Sequence, residues 1–266
     1  MLINPTVEGL RALRCETMAA GLIEQAASPS YLELSFEERL GLLVDKELAE
    51  RDNRRQARLL KSAKLRTGAV VEDVEVSSAR GIERAALVEL AGGAWVRAHH
   101  TVAVVGPTGV GKTYLACALA NAAIRQGHTA LYLRGPRMLE ELSIARVDGR
   151  FARLMATWAR IEVLVIDDFL LRPLSVDQAA DVLEVIEDRA GLRSTIVTSQ
   201  LPIAHWHEAI SEATIADSLM DRLCWHLRRI ELHGESMRRR NRTGAASPAE
   251  EEPGAPGTPR AKRAAR

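Results

Sequence analysis

The chain has 266 residues, 47% of them hydrophobic and 27% charged, enough apolar material for a sizeable core, which excludes intrinsic disorder as its overall state. Its 36 basic and 35 acidic residues leave a net charge of +1, so affinity for nucleic acid has to come from local clustering rather than bulk charge. Cys15, Cys117 and Cys224 stand far apart without metal-ligand or disulfide spacing, and the N-terminus carries no basic stretch followed by an apolar run. No apolar segment approaches the ~20 residues that span a bilayer, so a cytoplasmic protein without membrane contact is expected.

In chain order, residues 6–66 read as helical, with a polar break near Ser28-Pro29-Ser30. Ser35-Phe36-Glu37-Glu38 reads as a capping box, in which the serine oxygen takes an orphan backbone N–H three residues on and Glu38 reaches back. A long helix is predicted to follow, with Leu40, Leu43, Val44 and Leu48 on one face. Its second half, Arg51 to Arg66, holds seven cations and one anion, the strongest charge cluster of the globular part. Residues 67–98 form a connector with a Val-rich stretch at 70–76 and a short helical pattern from Gly81 to about Gly92.

From residue 100 onward short apolar runs alternate with helical patterns. Thr101–Val105, Ala130–Leu133, Val163–Ile166, Thr195–Thr198 and Arg229–Leu232 read as strands, and continuous apolar strands separated by helices indicate a buried parallel sheet. The fold class is therefore α/β, with a five-stranded parallel sheet flanked by helices and a small all-α domain before it. Residues 237–266 are rich in Arg, Gly, Pro, Ala and Glu, which predicts a disordered tail with a basic end. The boundaries are thus 1–66 helical domain, 67–98 connector, 99–236 α/β domain and 237–266 tail.

Gly106-Pro107-Thr108-Gly109-Val110-Gly111-Lys112-Thr113 follows the first strand and opens a helical run, the context that the phosphate-loop pattern GxxxxGK[ST] requires. The glycines let backbone N–H groups converge on phosphate oxygens, the helix N-terminus adds a favourable dipole, and Lys112 brings a point charge to the β- and γ-phosphates. Thr113 is the expected Mg²⁺ ligand. Val163-Leu164-Val165-Ile166-Asp167-Asp168, a hydrophobic strand ending in two carboxylates, supplies the second element: Asp167 to hold the metal, directly or through water, and Asp168 to polarise the attacking water. Ser199 or Gln200, just after the Thr195–Thr198 strand, could sense the γ-phosphate, and the same residues also fit a simple strand-end turn. Arg222 could reach a neighbouring subunit's nucleotide, or could be a solvated arginine on a helix face. Backbone near Val76–Ile82 is a candidate wall for the adenine.

The order of phosphate loop, Ile166-Asp167-Asp168, Ser194 through Pro202, Ala216 through Leu223, then Arg229 through Arg238 resembles the IstB-like helper ATPases of insertion sequences, relatives of DnaC-type helicase loaders within the AAA+ class. The resemblance runs from about residue 5 to 240 and includes Leu34 through Leu40 and Asn53-Arg54-Arg55. It implies an AAA+ ATPase using ATP and Mg²⁺ that oligomerises on duplex target DNA, distorts it, and recruits or stimulates a partner transposase. It also implies Lys112 and Thr113 at the nucleotide and metal, Asp167 at the metal, Asp168 at the water, Ser199 or Gln200 as first sensor, and Arg222 as a finger in trans. After Leu232 the sequence leaves no room for a helical lid before the tail, so the site should be completed by a neighbour.

Arg51, Arg54, Arg55, Arg58 and Lys61 are the first DNA-contact candidates, because cations that displace counterions from phosphates give sequence-independent affinity. The same run reads equally as a solvated face or an oligomer contact. Arg134, Arg137, Arg146, Arg150 and Arg153 form a second group, on helices that line the nucleic-acid side in AAA+ initiators and loaders; scattered surface arginines are the competing reading. Aromatic residues make up only 4% of the chain, and the basic segments carry almost none, so duplex binding through phosphates fits better than stacking on single strands. A replicative helicase loader and a nucleotide-regulated scaffold remain as alternatives. The stretches Thr198 to Pro202 and Gly234 to Met237 resemble the insertion-sequence helpers more than the loaders.

Overall fold

The computed structural model describes residues 3–237; the expected tail, and with it the question of a lid beyond Met237, lies outside the described residues. Three helices open the chain, α1 (Ile3–Ala12), α2 (Glu16–Ala27) and α3 (Phe36–Ala63). The capping box forms as read: Ser35 Oγ accepts from Glu38 N at 3.2 Å, and the Glu38 carboxylate accepts from Ser35 N at 2.8 Å. The expected single apolar face of α3 divides. Leu43 turns inward against α2, where Gly21 leaves it room, whereas Leu40, Val44 and Leu48 stay exposed. Glu47 is buried on the same helix and caps α2 from outside, accepting from Thr17 N at 2.9 Å and Met18 N at 3.1 Å.

The C-terminal half of α3 leaves the helical group and lies on the sheet domain, where Ala63 is fully buried. Helices α4 (Arg84–Ala91) and α5 (Ala94–Arg97) follow in the connector. Their Leu87, Leu90, Trp95 and Val96 join the same apolar cluster as Val102 and Val104. The rest alternates strand and helix: β1 (Thr101–Val105), α6 (Lys112–Arg125), β2 (Ala130–Arg134), α7 (Gly135–Val147), α8 (Phe151–Ala159), β3 (Val163–Phe169), α9 (Val176–Glu187), β4 (Ser194–Ser199), α10 (Ala213–Cys224) and β5 (Leu227–Glu231).

All strand pairs are parallel, in the order β2-β3-β4-β1-β5. Successive side chains point to opposite faces, so Val102, Val104, Val163 and Val165 pack under α4 to α6, while Ala103, Val105, Leu164 and Ile166 pack under α7 to α10. Cover on both faces explains why these strands are continuously apolar. It also places the C-terminal ends of β1, β3 and β4 side by side, where the loops that follow can converge.

At the opposite end of the sheet, Arg189 is 1% exposed and forms no ion pair among the described residues. It donates to the carbonyls of Trp158 at 2.7 Å, Ile161 at 2.8 Å and Ser194 at 2.5 Å, and to Thr195 Oγ1 at 3.2 Å. Burial pulls its pKa down to about 9, so the cation persists at neutral pH. The guanidinium thereby ties the end of α8 to the start of β4. Truncation would leave those carbonyls buried and unpaired, so Arg189→Ala is expected to cost about 3 kcal/mol or more of unfolding free energy, read as a drop in the urea midpoint.

Candidate functional site

The glycine-rich loop 106–111 leaves β1 and enters α6 with positive φ at Gly106 (146°), Gly109 (88°) and Gly111 (104°). Packing as well as conformation requires glycine at two of these. A Cβ on Gly106 would strike the Leu232 carbonyl, and one on Gly109 would strike the Ser236 hydroxyl. The segment after β5 thus lies directly on the loop, joined by Leu232 N to Val105 O at 2.8 Å and by Met237 N to Gly109 O at 3.0 Å. Arg80 of the connector holds the other side, donating from Nη2 to Val110 O at 2.7 Å.

Lys112 begins α6, is 7% exposed, and spans the loop by donating to Gly106 O and Pro107 O, each at 2.8 Å. Burial pulls its pKa down, against the upward pull of Asp168 and then Asp167. The next residue, Thr113, donates to the Asp167 carboxylate, with Oδ1 at 2.9 Å and Oδ2 at 3.0 Å.

Asp167 is fully buried. Besides Thr113 it accepts from Thr198 Oγ1 at 2.5 Å and Tyr132 Oη at 2.5 Å, and Arg66 Nη1 lies 3.5 Å away. Burial, followed by the Asp167 contact, pushes the Tyr132 phenol up, so it stays a protonated donor at neutral pH. The ladder between β3 and β4 slips here: Ile166 pairs with Val197 but Phe169 pairs with Ser199, which makes a bulge of Asp167-Asp168. Asp168 takes φ 58°, a left-handed conformation that Asp tolerates, and its N–H donates to Thr198 Oγ1 at 3.0 Å. Its carboxylate therefore points away from Asp167, toward Arg134, whose Nε donates to Oδ2 at 2.8 Å.

The two sensor candidates separate by strand parity. The Ser199 hydroxyl turns away, donating to Phe169 O at 2.8 Å and accepting from Leu201 N at 3.1 Å. Gln200 faces the glycine-rich loop, its Oε1 accepting from Thr108 Oγ1 at 2.6 Å. Arg222 on α10 pairs with Glu187 and donates to Ser218 O, and it shares a small cavity with Thr101, the first residue of β1, and Thr195, the second of β4. It stands at the end of the sheet remote from loop 106–111.

A cavity of about 630 Å³ opens beside the loop, walled by Asp73, Val74, Glu75 and Ile82 of the connector and by Leu232 and Met237. The expected wall at Val76–Ile82 thus contributes through Arg80 and Ile82, with residues 73–75 adding to it. Thr113 and Asp167 offer hard oxygen donors, a set suited to Mg²⁺. Among the described residues no cluster of three His, Cys, Asp or Glu is placed to hold a metal. A site that also uses phosphate oxygens needs no such cluster.

Next to this cavity lies a groove of about 1320 Å³, formed by the end of β2, α7, α8 and the turn after α3. Lys64, Arg66, Arg134, Arg137, Arg150 and Arg153 line it, against Glu140 and Glu141. Arg150 pairs with Asp148, whereas Arg137 and Arg153 make no ion pair among the described residues. Arg146 lies outside, paired with Asp181 and Glu184 and stacked 3.8 Å over the Phe151 ring. The run on α3 is more engaged than its composition suggests. Arg51 pairs with Glu47 and donates to Arg14 O, Arg54 pairs with Glu50, and Arg55 donates to Gly127 O; Arg58 and Lys61 project to solvent.

A model of the family described as "IstB-like ATP binding protein" matches residues 8–245. The chain belongs to the IstB-like ATP-binding proteins. It is 46% identical over 242 residues to a putative insertion sequence ATP-binding protein of Sinorhizobium fredii, a match covering 91% of this chain and 99% of that one. To the putative ATP-binding protein of insertion sequence IS1162 from Pseudomonas fluorescens it is 49% identical over 203 residues, or 76% and 88% of the two chains. The DnaC helicase loader shares the fold at TM-score 0.55 and 20% identity, over 64% of this chain and all 100% of that one. DnaI does so at 0.54 and 20%, over 62% and 92%. This IstB-like chain therefore shares the core fold of those two proteins, with a mostly helical N-terminal region before it. None of its described helices is long and apolar enough to cross a membrane.

Tyr132, Thr198 and Arg66 had no place in the sequence reading of the site. Tyr132 and Thr198 each remove one donor from Asp167 if replaced by Phe or Val. If Asp167 holds Mg²⁺, these donors orient its carboxylate, and Tyr132→Phe and Thr198→Val are each expected to raise the Mg²⁺ concentration for half-maximal binding of a fluorescent ATP analogue about tenfold. An unchanged Mg²⁺ requirement would detach both residues from that carboxylate's task.

Proposed function

We propose that this IstB-like protein is a DNA-stimulated ATPase that assembles on duplex DNA and assists a partner transposase. The observation that carries the reading is contiguity: the basic groove and the cavity at the glycine-rich loop share a wall made by Arg66 and Arg134. In this reading loop 106–111 and Lys112 bind the phosphates of ATP, and Thr113 and Asp167 hold Mg²⁺, which when bound neutralises phosphate charge. Asp168 polarises the attacking water, since its carboxylate is turned out of the buried network by the bulge. Gln200, on the loop side of β4, is the favoured sensor over Ser199. Arg222 cannot serve its own nucleotide from the far end of the sheet, so it acts on that of a neighbouring copy. This requires a homo-oligomer.

DNA is assigned to the groove because its cations outnumber its carboxylates and two of them, Arg137 and Arg153, are unpaired among the described residues. Among the described residues Tyr132 is the one aromatic that lines the groove, and its hydroxyl is committed to Asp167, so these residues offer no platform for a run of stacked bases. A duplex backbone suits the groove. The names of the curated relatives place them in insertion sequences, which supports a transposase as partner.

Phosphate release measured with and without random-sequence duplex tests the reading. Lys112→Ala is expected to weaken ATP binding more than tenfold. Asp168→Asn should bind ATP normally yet turn it over at least a hundredfold more slowly. Arg222→Ala should bind ATP and fail to hydrolyse it at any protein concentration; normal turnover in that variant would remove the trans finger. Arg137→Ala and Arg153→Ala should each weaken duplex binding uniformly across sequences and reduce the salt slope by about one.

A further inference from the structure

Arg189, Arg193 and Arg222 line one small cavity at the end of the sheet remote from the glycine-rich loop, with His99 beside them and no Asp or Glu among its lining residues. The space is about 10 Å³, room for one water and not for a phosphate, so an anion meets these cations at the mouth rather than inside. Two of the three guanidiniums already have partners. Arg189 gives its N–H groups to buried carbonyls and Thr195, and Arg222 pairs with Glu187. Arg193 differs: it forms no ion pair among the described residues, its Nη1 donates to the carbonyl of Leu192 at 2.8 Å, and its Nε is buried without a partner.

A buried donor left unmatched costs free energy, and cations gathered without a lining carboxylate repel one another. An anion supplied from outside relieves both. Arg189 is fixed by its carbonyls and the charge of Arg193 acts on it, so the repulsion falls on the freer Arg193 and drives it toward the mouth. Exposed apolar side chains flank that mouth: Leu192, next to Arg193 in the chain, is 60% exposed, and Trp225, which lines the cavity, is 63% exposed. Such flanks suit another protein surface better than a nucleic-acid backbone or a dissolved ion. Arg222, neutralised by Glu187, brings little net charge to a neighbour's nucleotide on its own.

We propose that Arg193 is a second catalytic cation acting in trans: together with Arg222 it meets the ATP phosphates held by a neighbouring copy, while Leu192 and Trp225 pack on that copy's surface. The proposal rests on the trans role given to Arg222 above and adds the residue that supplies the unpaired charge. Such a cation stabilises charge that develops on the transferred phosphoryl oxygens, so Arg193 acts on turnover rather than on ATP binding.

The test uses the full chain as wild type, Arg193→Ala and Arg193→Lys, measuring kcat for ATP and the affinities for a fluorescent ATP analogue and for random-sequence duplex. Arg193→Ala is expected to lose about a hundredfold in kcat while both affinities change by less than about twofold, and Arg193→Lys, which keeps a cation, should retain more of the rate. Mixing separates a trans role from a structural one. Asp168→Asn does not turn over ATP in its own site but presents both arginines, so an equimolar mixture with Arg193→Ala should recover about a tenth of the wild-type rate. A mixture of Arg222→Ala with Asp168→Asn is the reference. Recovery there but not with Arg193→Ala overturns the role of Arg193 alone, whereas recovery in neither overturns the trans reading of both arginines. Wild-type kcat in Arg193→Ala also overturns the proposal, and weaker duplex binding beside it would reassign the face to DNA. If Arg193→Ala does not fold, Arg193→Gln takes its place in the same measurements.

Discussion

A carboxylate with no access to water has to be surrounded by donors, and Asp167 is such a group, fully buried at the end of β3. Its donors come from separate parts of the chain: Thr113 from the start of α6, Thr198 from β4, Tyr132 from β2 and Arg66 from the turn after α3. Satisfying this one group fixes where those elements sit relative to each other. The glycine-rich loop adjoins the same network, because Lys112, which crosses the loop, and Thr113, which donates to Asp167, are consecutive. The bulge then separates the two acids, committing Asp167 to the interior and sending Asp168 outward.

The path of α3 gives the network a longer reach. One helix contributes Leu43 to the N-terminal group and Ala63 to the sheet core, so the two parts are joined by continuous backbone hydrogen bonds rather than by a free linker. Lys64 ends it in the left-handed conformation, φ 52°, and the reversed chain brings Arg66 to within 3.5 Å of Asp167. The N-terminal helices are therefore linked to the buried acid through α3 and the turn that follows it. The groove is close to it as well, since Arg66 and Tyr132, two of the acid's partners, also line the groove.

Features set by local chemistry were legible in the sequence. The five strands lie where the apolar runs placed them, to within one to three residues at their ends, and the capping box of α3 and the strand-loop-helix context of Lys112 follow from short-range rules. Tyr132 and Thr198 were not legible, because their meeting with Asp167 depends on the order β2-β3-β4, which no local pattern encodes. The bulge also has no signature beyond the paired acids. Ser199 and Gln200 could have been told apart by parity, since residues 198 and 200 share one side of the strand and 199 takes the other. In the basic run on α3 the partners of the cations were not legible either. Composition counts cations but not their partners, and Arg51, Arg54 and Arg55 are each engaged within the chain.

The proposed function turns on the assignment of the groove beside the glycine-rich loop to duplex DNA. Fluorescence anisotropy of labelled random duplex and single-stranded oligonucleotides, titrated at several salt concentrations with ATP, ADP and no nucleotide, tests it most directly. Tighter binding to duplex than to single strand, strengthened by ATP, is expected, with log affinity falling linearly against log salt. Binding that prefers single strands, or that is indifferent to both nucleotide and salt, would contradict it.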